Sequence, residues 1–233
     1  MYYVMSDLHG EYDKYLKMLD LIQFSEQDSL FILGDVVDRG AKPVSILRDM
    51  MLRPNVFPLM GNHDYMALYL LEKLCVEITE QSLKNTLSEE DVQDVLFWME
   101  EGGKYTIAEF VKLSIPERQE VIEYLSEFSL YEALDVGDKT FILVHAGLGN
   151  FRKDKKLSQY TPEELLLTRA DPDQKLFDDD DVYIITGHTP TPLISGKPEI
   201  YHSNHNICID CGAVFEGGKL ACLCLDTMQE FYI

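Results

Sequence analysis

The sequence has few basic residues and no long hydrophobic run, and both absences exclude partners. Its 233 residues include 20 lysines and arginines against 41 aspartates and glutamates, for a formal net charge of −21. Such a chain repels nucleic acid and anionic membranes over most of its surface, so we expect neither as a partner. No apolar run approaches the ~20 residues that cross a bilayer. The hydrophobic fraction of 46% argues against disorder and for a folded core.

The N-terminus and the cysteines favour a reducing compartment. Residues Met1–Asp7 lack a basic segment and reach an acidic residue at once, unlike a secretory signal peptide. The five cysteines are odd in number, which argues against a disulfide framework. We therefore expect a cytoplasmic protein. The spacing of Cys208, Cys211, Cys222 and Cys224 leaves a zinc site open, but we favour cysteine packed as a small hydrophobe in β-rich runs.

Strands and helices alternate in the first third of the chain. Apolar runs at Tyr2–Ser6, Leu30–Leu33 and Val56–Met60 predict strands. Helical patterns follow them at 12–22, 43–52 and 66–74. Short connections between such elements predict parallel strands joined by right-handed crossovers. We interpret residues from about 75 to 130 as a helical insertion in a single domain spanning 1–233. The second half is richer in strands, and the fold class is α/β.

Polar side chains follow five of the predicted strands, mostly beside a glycine. They include Asp7 and His9, Gly34-Asp35, Gly61-Asn62-His63, His145 and His188. A single Asp or His after a strand is usually a turn or cap residue, but five such coincidences favour a site. The carboxyl ends of strands in open α/β sheets bind ligands. Carboxylate and imidazole groups suit manganese, iron or zinc, and two ions about 3.5–4 Å apart would share the carboxylate of Asp35.

Taken together, these motifs resemble the phosphoprotein phosphatase family of metallophosphoesterases. The family signature runs D-x-H, G-D-x-x-D-R-G and G-N-H-[DE], followed by two later histidines. Residues 7–9, 34–40 and 61–64 match it, and Ile209–Ala213 resembles the I-D-x-G strand of the family. The resemblance covers about residues 1–74 and 131–233. It implies an α/β/β/α sandwich of two mixed sheets flanked by helices.

The resemblance also implies a role for each site residue. Two divalent metal ions would be bound, most simply manganese, with iron or zinc as alternatives. Asp7, His9 and Asp35 would bind one ion, and Asp35, Asn62, His145 and His188 would bind the other. Arg39, Arg169 and Asn62 would bind the substrate, although Arg169 equally fits a surface residue after a helix. His63, oriented by Asp38, would protonate the leaving oxygen as general acid. Water activated between the two metal ions would attack phosphorus.

Departures from the family pattern narrow the choice of substrate. Pro190 replaces the second histidine of G-H-x-H, which resembles the protein phosphatases and the diadenosine tetraphosphate hydrolases. Asp38 before the arginine favours the protein phosphatases, whereas Asp64, giving G-N-H-D, is common in the hydrolases. We predict a small bacterial- or phage-type serine/threonine protein phosphatase that acts on phosphorylated proteins or small phosphoesters. The alternative is a bis(5'-nucleosyl)-tetraphosphate hydrolase. A non-catalytic scaffold is disfavoured because no predicted ligand is missing.

Overall fold

The computed structural model of the protein describes residues 1–77, 79, 81, 85–169 and 171–233. The strands of this part of the chain are β1 Tyr2–Met5, β2 Ser29–Ile32, β3 Val56–Pro58, β4 Tyr131–Val136, β5 Lys139–Val144, β6 Val182–Thr186, β7 Tyr201–Ser203, β8 Asn206–Cys208, β9 Ala221–Cys224 and β10 Glu230–Tyr232. They form two five-stranded sheets, ordered β10-β9-β1-β2-β3 and β4-β5-β6-β8-β7.

The helices lie on the outer faces of the two sheets. They are α1 Tyr12–Leu21, α2 Pro43–Met50, α3 Asn62–Leu74, α4 Glu89–Trp98, α5 Lys104–Phe110, α6 Ile115–Ser126, α7 Pro162–Leu166 and α8 Thr191–Ser195. A π-helical turn, Met99–Gly103, joins α4 to α5. Within the described residues, no helix combines the length and apolar character needed to cross a membrane.

Each sheet is mixed and contains three neighbouring parallel strands. β1, β2 and β3 pair in parallel, as the short strand–helix connections predict, and β9 joins β1 in the antiparallel direction. In the second sheet β5, β6 and β8 are parallel, while β4 and β7 are antiparallel edge strands. The predicted α/β/β/α sandwich of two mixed sheets is therefore confirmed.

Apolar side chains fill the space between the sheets and under the helices. Val4 and Phe31 from the first sheet pack with Leu143 and Ile185 from the second. Buried residues of strands β1 and β2 contact the apolar faces of α1, α2 and α3 on the other side. The cysteines at 208, 211, 222 and 224 are buried and free, and none belongs to a metal-ligand cluster among the described residues.

The predicted helical insertion packs into the main core. Trp98, Phe110 and Val121 belong to the same cluster of buried residues as Met5 of β1 and Leu70 of α3. Residues 78, 80 and 82–84 of the predicted insertion lie outside the described part of the chain. The shared core supports the interpretation of a single domain, which remains a proposal.

Candidate metal centre

The ends of five strands meet at one edge of the sandwich. Asp7 and Asp35 follow β1 and β2, and Asn62 begins α3 just after β3. From the second sheet, His145 follows β5 and His188 follows β6. Residues separated by up to 181 positions thus come into hydrogen-bond contact, as the main-chain N–H of His188 does with Asp7.

The backbone around these residues is tightly constrained. A Cβ atom at Gly187 would lie 2.2 Å from Asp7 Oδ2, so only glycine allows the two chain segments to approach this closely. Positive φ angles occur at six predicted site residues: Asp7, His9, Asp35, Asp38, Arg39 and His188. Such angles cost of order 1–3 kcal/mol each for residues other than glycine and are typical of functional sites.

The first cluster of possible metal ligands contains His9, Asp35 and His63. Each offers a ligand atom within 4.8 Å of the others. His9 Nε2 lies 3.5 Å from Asp35 Oδ2. The other ring nitrogen of His9, Nδ1, donates to the Val37 carbonyl oxygen at 2.9 Å, so Nε2 is the nitrogen that can bind a metal, in place of the Arg39 guanidinium that donates to it in this structure.

The second cluster contains Asp35, His145 and His188, again within 4.8 Å of one another. His145 donates from Nδ1 to the Leu33 carbonyl oxygen at 2.6 Å, so its Nε2 faces Asp35 Oδ1 at 3.5 Å. Asn62 Oδ1 lies 3.0 Å from both His145 Nε2 and His188 Nδ1. Asp35 is common to both clusters, as a bridging ligand requires.

Two details differ from the predicted ligand sets. Among the described residues, Asp7 belongs to neither three-residue cluster, although its carboxylate lies beside them and accepts hydrogen bonds from the Ser6 hydroxyl and the His188 N–H. His63, predicted as the general acid, lies within ligand distance of His9 and Asp35.

The electrostatics of the clusters favour metal binding. Burial lowers the pKa of His9 to about 3 and that of His188 to about 4, so both imidazoles are neutral at pH 7. Burial opposes ionisation of Asp35, but His145, His63 and His9 outweigh it and hold the pKa of this carboxyl below its usual range. Neutral imidazoles around a carboxylate are the protonation states that a divalent metal requires. The donor set therefore fits the metal pair that the sequence predicts.

Arg39 and His63 face each other at the rim of the first cluster. The half-buried Arg39 guanidinium donates to His9 Nε2 at 2.9 Å and to His63 Nε2 at 2.8 Å. His63 Nδ1 lies 2.8 Å from Asp38 Oδ2. Burial disfavours protonation of His63, but the hydrogen bond to Asp38 and the charge of Asp35 raise its pKa above the ordinary value.

Arg169 lies near the second cluster. Its side chain is exposed and donates from Nη1 to Thr189 Oγ1 at 3.2 Å, and Thr189 directly follows His188. This contact brings the guanidinium to the rim of the site, and phosphate binding by Arg169 stays a prediction.

Several supporting residues were missed by sequence reasoning. The buried Asp64 carboxylate accepts the main-chain N–H groups of Val36, Val37 and Gly61, and so joins the β2 and β3 loops. Burial raises its pKa to about 7. Its position in G-N-H-D was the available signal. Trp98 and Thr106, both in the helical insertion, donate hydrogen bonds to Asp38. Neither belongs to a sequence motif that could have predicted this contact.

The two-sheet sandwich and its histidine–aspartate clusters define a metallophosphoesterase. Residues 2–214 match the calcineurin-like phosphoesterase family, and the chain belongs to that family.

Relatives within the family carry a more specific name. A symmetrical bis(5'-nucleosyl)-tetraphosphatase of Acidovorax ebreus is 31% identical over 166 residues, which cover 70% of this chain and 47% of the relative. The enzyme of the same name from Nitrosospira multiformis is 35% identical over 100 residues, covering 42% of this chain and 36% of the relative. The chain thus spans less than half the length of these curated relatives.

Solved structures share the fold. One, described as a "putative diadenosine tetraphosphatase", superposes with a TM-score of 0.64 at 18% identity, covering 100% of this chain and 92% of the other. A cold-active protein tyrosine phosphatase variant gives a TM-score of 0.54 at 15% identity, covering 99% and 79%. At these identities the likeness shows the fold alone.

Proposed function

We propose that this protein is a metal-dependent hydrolase that cleaves dinucleoside tetraphosphates symmetrically. The observation that carries the proposal is the 31% identity over 166 residues with a symmetrical bis(5'-nucleosyl)-tetraphosphatase. The clusters around Asp35 supply the donor set that phosphoester hydrolysis of this kind needs. Curated relatives therefore favour the alternative of the sequence analysis over the serine/threonine protein phosphatase.

Two divalent ions, manganese or alternatively iron or zinc, would be bound by the predicted ligands. These ligands are Asp7, His9, Asp35, Asn62, His145 and His188. When bound, such a metal pair lowers the pKa of a bound water towards 7 and offsets negative charge on phosphate oxygens.

Side chains of the protein would bind the phosphates and protonate the leaving oxygen. Arg39 presents a planar guanidinium next to the clusters, which suits two oxygens of one phosphate. Arg169, beside Thr189 near the second cluster, would bind another phosphate of the tetraphosphate substrate. His63 would donate a proton from Nε2 to the leaving oxygen once Arg39, which donates to that nitrogen in this structure, turns to the phosphate; Asp38 fixes the ring through Nδ1.

Two apolar cavities border the site and suit the two ends of such a substrate. One, of about 520 Å³, extends from Asn62 past the exposed ring of Tyr65. The other, of about 450 Å³, is lined by Leu193 and Phe215, and the Phe215 ring centre lies 5.8 Å from the Arg39 guanidinium carbon. Both volumes fall in the range of small-molecule sites. We assign one nucleoside to each cavity, with the base stacked on Tyr65 or Phe215.

A product analysis tests the proposal. Purified protein is incubated with diadenosine tetraphosphate, phosphoserine and phosphothreonine peptides, and 4-nitrophenyl phosphate, each with manganese, iron or zinc. We expect diadenosine tetraphosphate to give ADP as its sole nucleotide product. ATP with AMP would contradict symmetrical cleavage, and the same preparation of Asp35→Asn reveals any contaminating hydrolase.

One observation favours a second candidate, the serine/threonine protein phosphatase. The carboxylate of Asp38 precedes Arg39 and contacts His63 at 2.8 Å, and a carboxylate at this position of the motif resembles the protein phosphatases. Release of phosphate from the peptides without cleavage of the dinucleotide would establish the second candidate instead.

A further inference from the structure

The helical insertion contributes directly to the surroundings of Asp38. Trp98, the last residue of α4, donates its indole N–H to Asp38 Oδ2 at 2.7 Å. Thr106 of α5 donates its hydroxyl to Asp38 Oδ1 at 2.6 Å and accepts the Asp38 main-chain N–H at 3.0 Å. All three residues are fully buried. Both oxygens of the carboxylate therefore accept hydrogen bonds from the insertion.

The same carboxylate orients the proposed general acid. Asp38 Oδ2, which accepts from Trp98, also contacts His63 Nδ1 at 2.8 Å. A buried carboxylate that lost the indole and hydroxyl donors could rotate, and the His63 ring would lose its fixed partner. Because proton donation requires a catalytic group within hydrogen-bond reach and in line, such a rotation would affect turnover.

A second contact joins the insertion to the neighbouring arginine. The main-chain N–H of Arg39 donates to the Gly102 carbonyl oxygen at 3.1 Å. Gly102 lies in the π-helical turn with φ 114°, a conformation that favours glycine. The segment from Trp98 to Thr106 thus contacts Asp38 and Arg39, two consecutive residues of the site.

We propose that Trp98 and Thr106 are positioning residues: they fix the Asp38 carboxylate so that His63 keeps the orientation for proton donation. The inference rests on the proposed function only through the role of His63. The competing explanation is a structural one, in which the two donors merely satisfy buried polar groups. The two explanations differ in what happens when His63 is absent.

A double-mutant cycle separates them. Trp98→Phe keeps an aromatic ring without the N–H, and Thr106→Val keeps the shape without the hydroxyl. We expect each to lower kcat by about 10-fold, the lower end of losses for outer-shell partners at metal sites, with KM changed less than about twofold. Thr106→Ser should restore most of the rate. In a His63→Asn background, Trp98→Phe should cause no further loss.

An independent loss in that background would overturn the proposal, because a structural role does not depend on His63. Thermal unfolding of each variant shows that the measured rates belong to folded protein. Phe97→Leu is the matched control, since this neighbouring aromatic residue of α4 is 58% exposed. It should leave kcat and KM unchanged.

An NMR measurement tests the contact without any substrate. The sequence holds one tryptophan, so one indole N–H resonance reports on Trp98. Asp38→Asn should shift that resonance, and Trp98→Phe should shift the Nδ1–H resonance of His63. If neither signal moves, the proposal is wrong, whatever the activity.

Failure of the proposed function would look different. Wild-type protein would then leave diadenosine tetraphosphate intact, while the cycle could still be run on a phosphopeptide, whose alkoxide leaving group needs the proton from His63. Unchanged kcat in Trp98→Phe and Thr106→Val on every substrate cleaved would remove the positioning role and leave the proposed function standing.

Discussion

The main-chain N–H of His188 donates to both carboxylate oxygens of Asp7, at 3.3 and 3.0 Å. The contact joins the end of β6 in the second sheet to the end of β1 in the first. Burial, Asp210 and Asp35 together raise the pKa of Asp7 well above its usual range, and the Ser6 hydroxyl and the His188 N–H offset part of that effect. The two halves of the site are thus held together by the packing of the sandwich itself, so we expect metal binding and folding to be coupled.

Asp35→Asn should abolish turnover, because Asp35 is the residue common to both clusters. We expect a loss of at least about 100-fold on every substrate, since even outer-shell partners of metal ligands cost 10–100-fold. Manganese at 100 times its Kd should stabilise wild-type protein by about 2.7 kcal/mol per site. That corresponds to a Tm increase of roughly 5–10 °C, which Asp35→Asn should lose in large part.

Activity assays, elemental analysis and thermal unfolding with and without EDTA measure these effects. Asp13→Asn is the control of equal charge change, since it breaks only an exposed ion pair with Lys42. Full activity of metal-free wild-type protein, or an Asp35→Asn protein that binds as much metal as wild type, would contradict the assignment.

Tyr65→Ala and Phe215→Ala should weaken binding of the dinucleotide specifically. Stacking of a base on an aromatic ring contributes about 1–3 kcal/mol, so each change should raise KM for diadenosine tetraphosphate by roughly 10-fold. The KM for 4-nitrophenyl phosphate, which carries no base, should change far less. Leu52→Ala removes an exposed apolar side chain that lines neither cavity and serves as the control. Equal changes in KM for both substrates would exclude base stacking at that ring.

The strand positions were predictable because each apolar run ends at a glycine or a polar side chain. The predicted strand Val56–Met60, for example, is observed as Val56–Pro58. Helix α3 begins at Asn62 and not at Met66, because the Asp64 carboxylate accepts the Gly61 N–H and caps the helix from inside its first turn. The motif G-N-H-D is therefore part of a helix, and periodicity of apolar residues could not reveal this.

Contacts over long sequence separations were beyond local patterns. Trp98 and Asp38 lie 60 residues apart, and nothing in either segment specifies their pairing. β7 and α8, of 3 and 5 residues, are too short for a periodic pattern, and neither was predicted. The convergence of site residues was predictable only because five strands repeat the same arrangement at their ends.

Glu164→Gln should reduce stability at neutral pH and have little effect in acid. Lys155, the Thr161 N–H and Asn150 lower the pKa of Glu164 to about 2, against about 4.3 in an unfolded chain. The charged form therefore stabilises the fold above about pH 4.3, and this contribution is lost as the pH falls towards 2. Urea unfolding from pH 7 to pH 3 should show the wild type and Glu164→Gln converging. Glu163→Gln, the exposed neighbour, is the control, and a difference that stays constant with pH would contradict the prediction.

Gly102→Ala should lower both stability and activity, whereas the same substitution at Gly137 should lower stability alone. Gly102 has φ 114°, and a Cβ atom there would lie 2.7 Å from Arg39 Cγ and 2.8 Å from Arg39 N. Gly137, in the β4–β5 turn, has φ 64° with nothing within 4 Å of such an atom. Gly137→Ala should therefore cost only the left-handed backbone strain, about 1–2 kcal/mol.

Gly102→Ala adds overpacking against Arg39, a further ~1–3 kcal/mol. Displacement of the guanidinium should also lower kcat by roughly 10- to 100-fold, since misplacement by about 1 Å can cost that much. Urea unfolding and steady-state kinetics of the two variants measure both effects. If Gly102→Ala and Gly137→Ala lose equal stability and both keep wild-type kcat, the π-helical turn does not control Arg39, and the insertion acts on the site through Asp38 alone.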